Sequence, residues 1–218
     1  MQCVYGSVWR KWDFHVHTPY SILNNNYGFN PFDLNESDLE EKFDDYVKQL
    51  FTLAVENDIA AIGITDYFML EGYKYIRKNY LDNPAKMLEC FPDDDLRHKI
   101  ENIYVFPNVE LRLDNFVGRG ASSINYHVIF SDELSLKDIE ENFLHQLKFN
   151  FDCANTRPLT ISNIEEFGKQ IIENKSDSGS ELLVGLEHVT VNYTDIQKVL
   201  ENNPTFIINF ISNLRLSA

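Results

Sequence analysis

The stretch Ile59-Ala60-Ala61-Ile62-Gly63-Ile64 is an apolar run with the length of one β-strand. An apolar run that does not alternate with polar residues is typical of a strand buried on both faces, as in a parallel sheet covered by helices. The polar residues Thr65 and Asp66 follow it directly. The run therefore predicts a central parallel strand whose carboxyl end carries polar side chains.

Helical and extended patterns alternate on both sides of this strand. Apolar residues at helical spacing predict helices at about 38–57, 135–149, 163–173 and 195–202, with shorter helices between 71 and 99. Apolar and alternating runs predict further strands or extended segments at about 12–17, 103–106, 109–113, 126–130, 182–191 and 205–211. This order predicts an α/β fold, most economically a complete or partial βα barrel.

The chain of 218 residues is acidic, with 19 lysines and arginines against 34 aspartates and glutamates and a formal net charge of -15. Such a surface repels phosphate backbones, which argues against nucleic-acid binding by counterion release unless a bound cation reverses the local charge. The length suits one sizeable domain or two small ones, and we expect a single domain over residues 1–218. Because neither a membrane-spanning apolar stretch nor a signal-peptide pattern is present, we expect a cytoplasmic protein without a membrane partner.

Two histidines, His15 and His17, lie one residue apart in the first predicted strand. Residues i and i+2 of a strand project from the same face, so both imidazoles can converge on one metal ion. The same pattern also fits two solvated histidines on an edge strand. The later residues Asp66, Glu110 and His127 favour a metal site, because they lie in or at the ends of predicted strands. In βα barrels, functional residues gather at the carboxyl ends of strands.

Four short motifs together resemble the PHP family (polymerase and histidinol phosphatase), whose members are metal-dependent phosphoesterases on a distorted βα barrel. The motifs are His15-Val16-His17-Thr18-Pro19-Tyr20-Ser21, Gly63-Ile64-Thr65-Asp66-Tyr67, Asn108-Val109-Glu110 and Asn125-Tyr126-His127-Val128-Ile129. More narrowly, Trp9 to Tyr73 is similar to the N-terminal PHP-like segment of large bacterial proteins that also carry an ATPase region. The resemblance places the core motifs at 12–132 and leaves 133–218 as a divergent or truncated part of the same domain.

The resemblance implies a set of metal ligands. His15 and His17 would bind one ion, Glu110 would be a bridging or shared carboxylate, and His127 would bind a second ion. Asp66 would stand beside the site, and Asp66 and Glu110 are the implied catalytic carboxylates. Imidazoles and carboxylates suit zinc, manganese or iron, so we expect one or two divalent transition metal ions as the cofactor.

Three further side chains are candidates for contacts to a substrate phosphate. The guanidinium groups of Arg112 and Arg119 match the geometry of a phosphate, and the hydroxyl of Tyr20 could hydrogen-bond to it. Each residue also fits an ordinary structural role, the arginines as surface charges and the tyrosine in packing.

Two departures from the family pattern concern the completeness of the site. Tyr67 stands where the family has a histidine, which argues against a third metal ion. The family's last motif, an aspartate and a histidine separated by one residue, does not occur after Asp13-Phe14-His15. We therefore expect a barrel that is incomplete at its C-terminal end, either part of a longer chain or a natural short form. The predicted strand at 205–211 would then be an edge that could pair with a second copy in a homodimer.

The leading prediction is a metal-dependent phosphoesterase that hydrolyses a phosphate mono- or diester with metal-activated water. Its substrate would be a phosphorylated small molecule or a nucleic-acid end, the latter making it a nuclease. The alternative is a catalytically incomplete PHP-like binding or regulatory module that docks a partner such as an ATPase. An amidohydrolase-like enzyme fits less well, because the metal-bridging lysine and late aspartate that it would need are not evident.

Overall fold

A four-stranded sheet forms the centre of the structure, a computed structural model that describes residues 9–117, 122–175, 179–203 and 206. Its strands are β1 (Lys11–His17), β2 (Ile59–Tyr67), β3 (Tyr104–Val117) and β4 (Ser122–Ile129), side by side in this order. β1, β2 and β3 run parallel, whereas β4 runs antiparallel to β3. The predicted α/β class is confirmed, and β2 is an inner strand with a parallel partner on each side. The sheet is nevertheless mixed, because β4 reverses the strand direction.

Helices and a small second sheet complete the described part of the chain. The helices are α1 (Glu36–Glu56), α2 (Glu71–Ile76), α3 (Pro84–Cys90), α4 (Asp94–Glu101), α5 (Leu136–Asn142), α6 (Ile161–Lys175), α7 (Glu181–His188) and α8 (Tyr193–Asn202). A π-helical turn (Arg77–Leu81) extends α2, and 3-10 turns lie at Asn25–Tyr27, Pro31–Asp33 and Leu144–Gln146. β5 (Lys148–Asn150) and β6 (Thr156–Pro158) form the second, antiparallel sheet. Among the helices described, none has the length and apolar character needed to cross a membrane.

Both hydrophobic cores lie against the same face of β3. Val105 packs into a core with residues of α1 to α4, and Val109 and Leu111 pack into a second core with residues of α5 to α8. Successive side chains of a strand point to opposite faces. Asn108 and Glu110 therefore project from the face that these helices do not cover, whereas Asp66 of β2, which pairs with Val109, lies on the helix side.

The sheet is strongly curled, with its polar face on the concave side. His15 lies on β1 and His127 on β4, the two outer strands, yet their ring centroids are only 4.4 Å apart. In a flat sheet the outer strands of four would be about 14 Å apart, because neighbouring strands are separated by about 4.8 Å. Curvature thus brings side chains of both sheet edges to one point. The four strands form an open half-barrel, and a complete PHP-type barrel stays a prediction.

A β-bulge in β1 sets the position of the two histidines. Asp13 pairs with Ile62 and Val16 with Ile64, so three steps along β1 match two steps along β2. An extra residue of this kind bends the strand and redirects its side chains. The bulge lies directly over Gly63, where a Cβ atom would come within 2.7 Å of the carbonyl oxygen of Phe14. Glycine is required here because it lets the bulge approach β2.

The helix predicted at 135–149 ends early, at Asn142, and Lys148–Asn150 forms β5 instead. Leu147, Phe149 and Phe151 are all buried, and burial of every second residue is the pattern of a strand with one face on the core. The predicted helix end was wrong because this alternation follows directly on helical spacing.

The segment 182–191, predicted to be extended, mostly belongs to α7. Ser180 caps this helix by accepting a hydrogen bond from the backbone N–H of Leu183. Gly185 allows α7 to lie directly on α6, since a Cβ there would overlap the carbonyl oxygen of Ile164. The prediction was wrong because close packing between the two helices is not visible in the apolar pattern.

Three other predicted strands differ in extent from the structure or lie outside its described residues. The segments 103–106 and 109–113 belong to one continuous strand, β3, which passes through Pro107. The strand predicted at 205–211 lies outside the described residues, except for Phe206, which is buried in the core.

Gly63→Ala should destabilise the protein by about 1–3 kcal/mol, the usual cost of overpacking, because the added methyl group has no space beneath the bulge of β1. Denaturant unfolding measures the loss, and backbone amide NMR shifts report whether β1 moves. Gly185→Ala is the matched control, since it creates a similar overlap between α6 and α7. It should lower stability while leaving the β1 signals in place. Unchanged β1 signals in Gly63→Ala would contradict the role assigned to this glycine.

Candidate metal centre

Three ligand atoms converge on the concave face of the sheet. They are Nε2 of His15, Nε2 of His17 and Oε2 of Glu110. The two nitrogens are 3.0 Å apart, and they lie 3.1 Å and 3.3 Å from the carboxylate oxygen, respectively. The predicted first ligand pair and the predicted carboxylate are therefore brought together by the fold.

These separations match the spacing of ligands around a single metal ion. Bonds from zinc to nitrogen or oxygen are about 2.1 Å long, so two ligands at an angle of about 90° to 110° lie about 3.0 to 3.4 Å apart. The three measured sides of the triangle, 3.0, 3.1 and 3.3 Å, fall within this range. The residues present therefore fit a divalent metal ion without rearrangement of the backbone.

The triangle formed by these three ligand atoms is shielded from solvent on the side of Glu110 and His17 and is accessible to solvent at His15. The side chain of Glu110 is 1% exposed and that of His17 is 13% exposed, whereas that of His15 is 54% exposed. Burial tends to raise the pKa of the Glu110 carboxyl, but the hydrogen bond with His17 and the neighbouring imidazoles hold it below its ordinary value. A second hydrogen bond, from the Asn125 side-chain amide to Oε1, fixes the other carboxylate oxygen.

His127 lies beside the triangle and is not one of its corners. It is paired with Glu110 across β3 and β4, and its ring packs edge-on against His15. Its Nδ1 atom lies 3.1 Å from the amide nitrogen of Asn108. Burial and the two neighbouring imidazoles lower the pKa of His127, which favours its neutral form. Its predicted role as ligand of a second ion stays a prediction.

Asp66 lies behind His17 and does not face the open side. Its carboxylate is 1% exposed and accepts hydrogen bonds from the hydroxyls of Thr18 and Ser21, both 2.7 Å long, and from the backbone N–H of Gly72. Burial raises its pKa to about 6 in spite of these donors. A Cβ at Gly72 would overlap both Thr18 and Asp66, so this position needs glycine. Asp66 therefore supports the site from within the protein.

Tyr67, which stands where the PHP family has a histidine, stacks on the ring of His17. The ring centroids are 4.8 Å apart and the planes differ by 29°. Stacking of this kind restricts the orientation of the imidazole. Tyr67 thus contributes to the position of a ligand.

The residues predicted to contact phosphate have different surroundings. Arg112 lies two residues after Glu110 on the same face of β3, and its Nη1 donates to the carbonyl oxygens of Leu186 and Glu187 at the end of α7. Tyr20 lines a separate cavity of about 380 Å³. Arg119 lies outside the described residues.

Several uncharged polar residues for which no role was predicted lie next to the site. Thr18, Ser21, Thr65 and Asn108 are all buried and hydrogen-bonded around the ligands. The one feature of the sequence that could have identified these residues is that all of them lie within the four motifs. Glu110, in turn, lies within β3 rather than at a strand end, because β3 continues into the hairpin with β4.

The chain matches no family model, no curated protein and no solved structure. Its resemblance to the PHP family therefore depends on the four motifs alone.

Addition of Zn²⁺ or Mn²⁺ should stabilise the protein by about 2.7 kcal/mol at a metal concentration of 100 times Kd. His17→Ala and Glu110→Gln should each abolish this stabilisation, because each removes one corner of the triangle. Thermal unfolding with and without metal, together with calorimetric titration, measures the effect. His98→Ala is the control, since this imidazole is 79% exposed on α4. Equal metal binding by Glu110→Gln and the unchanged protein would refute the site.

Asp66→Asn should flatten the dependence of stability on pH. The pKa of Asp66 is about 6 in the folded protein and 3.8 is its ordinary value, so the folded state holds the proton more tightly. In the unchanged protein, the free energy of unfolding should therefore fall by about 3 kcal/mol as pH rises from about 4 to above 6, and then level off. Asp66→Asn lacks this carboxyl group and should not show this fall.

Denaturant unfolding at several pH values, in the presence of a chelator, measures this slope for Asp66→Asn and the unchanged protein. Asp152→Asn is the control, because that carboxylate is solvent-exposed. If the free energy of unfolding of both aspartate variants changes with pH between 4 and 6 as it does in the unchanged protein, the raised pKa of Asp66 is disproved.

Proposed function

We propose that this protein is a metal-dependent hydrolase of phosphate esters, of the type that its resemblance to the PHP family implies. The observation that carries the proposal is the triangle of His15, His17 and Glu110, whose dimensions suit one divalent ion. Zinc, manganese and iron all accept two imidazoles and a carboxylate. Phosphate-ester hydrolysis is one chemistry for which a bound divalent ion is sufficient without a protein nucleophile.

The charge of the chain supports a role for the cation in substrate binding. A protein with a net charge of -15 repels an anionic phosphate. A divalent ion at the triangle would neutralise a phosphoryl oxygen and activate water. His15, which is half exposed, marks the side from which a substrate would enter, and Glu110 and His17 form the closed side.

The environment of the site supports rigid placement of the ligands. Glu110 is held by Asn125, and His17 is held between Ser21 and the ring of Tyr67. Ligands fixed in this way do not need to reorganise when the cation binds or when charge develops on the substrate. Arg112, on the same face of β3 as Glu110, uses Nη1 for its bonds to α7, and its other N–H groups are candidates for a phosphate contact.

The competing proposal is a binding module that holds a metal ion but lacks turnover and docks a partner such as an ATPase. The presence of only one three-ligand cluster among the described residues favours it, since many phosphoesterases use two adjacent ions.

Hydrolysis of bis(p-nitrophenyl) phosphate and p-nitrophenyl phosphate with added Mn²⁺, Zn²⁺ or Fe²⁺ decides between these proposals. We expect metal-dependent release of p-nitrophenol that falls to background in His17→Ala and Glu110→Gln and is unchanged in His98→Ala. The preferred substrate distinguishes a monoesterase from a diesterase. Metal binding without hydrolysis of either compound would overturn the enzyme proposal in favour of the binding module.

A further inference from the structure

We propose that buried hydrogen-bond partners hold His17 and His127 in opposite tautomers, so that His17 offers a lone pair to the metal ion and His127 offers an N–H to the substrate. This inference deepens the proposed function, on which it depends for the metal ion and the substrate. It assigns Ser21 and Asn108 as positioning residues, and it gives the site one metal ion instead of two.

The tautomer of His17 follows from the partners of Ser21. The Ser21 hydroxyl lies 2.7 Å from Oδ1 of Asp66 and 3.1 Å from the carbonyl oxygen of Thr65. A carbonyl oxygen and an ionised carboxylate can only accept, so the single hydroxyl hydrogen of Ser21 is directed to one of them. The Ser21 oxygen is then left to accept, and its remaining neighbour is Nδ1 of His17 at 2.9 Å.

Nδ1 of His17 must therefore carry a hydrogen. This result holds for the ionised carboxylate of Asp66: turning the Ser21 hydrogen towards Nδ1 would leave the carboxylate and carbonyl oxygens facing the Ser21 oxygen with no hydrogen between them. Nε2 is then the atom at which a metal ion can replace a proton, and it is the atom that lies in the triangle. Histidine ligands of metals commonly donate their other ring N–H to a fixed acceptor in this way.

The tautomer of His127 follows from the orientation of the Asn108 amide. The carbonyl oxygen of Phe14 lies 2.6 Å from the Asn108 side-chain nitrogen. This oxygen can only accept, so the NH₂ group of Asn108 must face it. The reverse orientation would place two acceptor oxygens 2.6 Å apart. Oδ1 of Asn108 accordingly has no hydrogen-bond partner within the described part of the chain.

The same NH₂ group lies 2.8 Å from Oγ1 of Thr65 and 3.1 Å from Nδ1 of His127, so its two hydrogens are shared among three neighbours. Since an NH₂ group cannot accept a hydrogen bond, Nδ1 must present its lone pair to it. The neutral ring then carries its hydrogen on Nε2. For Nε2 of His127 to bind a metal ion, the hydrogen of the neutral ring would have to move to Nδ1, which faces an NH₂ group that cannot accept it. The N–H at Nε2 can instead donate to an anionic oxygen held beside the triangle. The edge-on contact with His15 places His127 next to the exposed ligand, where a substrate would enter.

Long-range ¹H–¹⁵N NMR of the metal-free full chain, labelled with ¹⁵N-histidine and recorded at about pH 8, reads these tautomers directly. Signals are assigned by comparison with His17→Gln and His127→Gln. We expect a hydrogen on Nδ1 of His17 and, for His127, a hydrogen on Nε2 alone. A neutral His17 with its hydrogen on Nε2, or a His127 with its hydrogen on Nδ1, would overturn the inference.

Variants of the positioning residues give a second readout. Ser21→Ala should release the His17 tautomer and weaken Zn²⁺ binding by about 10- to 100-fold in calorimetric titration, whereas Ser21→Thr should restore both. Thr18→Val is the matched control, since it also removes a buried hydroxyl bonded to Asp66, whereas the described hydrogen bonds of this hydroxyl do not include the His17 ring. Asn108→Ala should release the His127 tautomer. Unchanged tautomer and affinity in Ser21→Ala would refute the role of Ser21.

The number of bound ions completes the test. We expect one Zn²⁺ per chain, lost in His17→Gln and kept in His127→Gln. Two ions per chain, with one lost in His127→Gln, would show that His127 is a ligand and would overturn the inference. The tautomers are measured without metal, so their outcome is independent of hydrolysis. Tautomers as stated together with a lack of turnover would refute the proposed function alone.

Discussion

The carboxylate of Glu110 is a charged group that is almost completely excluded from water. An isolated buried charge costs several kcal/mol, so the surrounding structure must supply donors and positive charge. Asn125 of β4 and the two histidines of β1 meet this need from opposite edges of the sheet. Asn125 lies on the strand next to β3, whereas β1 is separated from β3 by β2, so the curl of the sheet helps to bring the two histidines to Glu110.

The backbone features of the site serve this convergence. The bulge of β1 redirects the side chains of His15 and His17, and Gly63 gives the bulge the space that it needs over β2. Asn108 connects the bulge to β3 by its bond to the carbonyl oxygen of Phe14. Because the helices pack against the opposite face of the sheet, the two hydrophobic cores can stabilise the fold without covering the site.

The local apolar pattern predicted an element correctly where its conformation did not depend on contacts with another element. α1, α6 and α8 have apolar spacing that predicts them, and β2 is a continuous apolar run. The segments at 135–149 and 182–191 were predicted wrongly, because their conformations depend on contacts with other elements. A strand pairing between β5 and β6 decides the first, and close packing of α6 with α7 decides the second.

By itself, the sequence predicted the α/β class, the inner strand β2 and the pair His15 and His17, because apolar periodicity and the His-x-His spacing are local properties of the chain. The role of Glu110 as a ligand was predicted only from the resemblance to the PHP motifs. The tertiary structure alone decided the curl of the sheet, the reversed direction of β4, and the buried partners Ser21 and Asn108. Hydrogen-bond direction around an imidazole depends on atoms that are far apart in the chain. For that reason, the tautomers of His17 and His127, and the difference in chemistry between them, become visible only after folding has brought these atoms together.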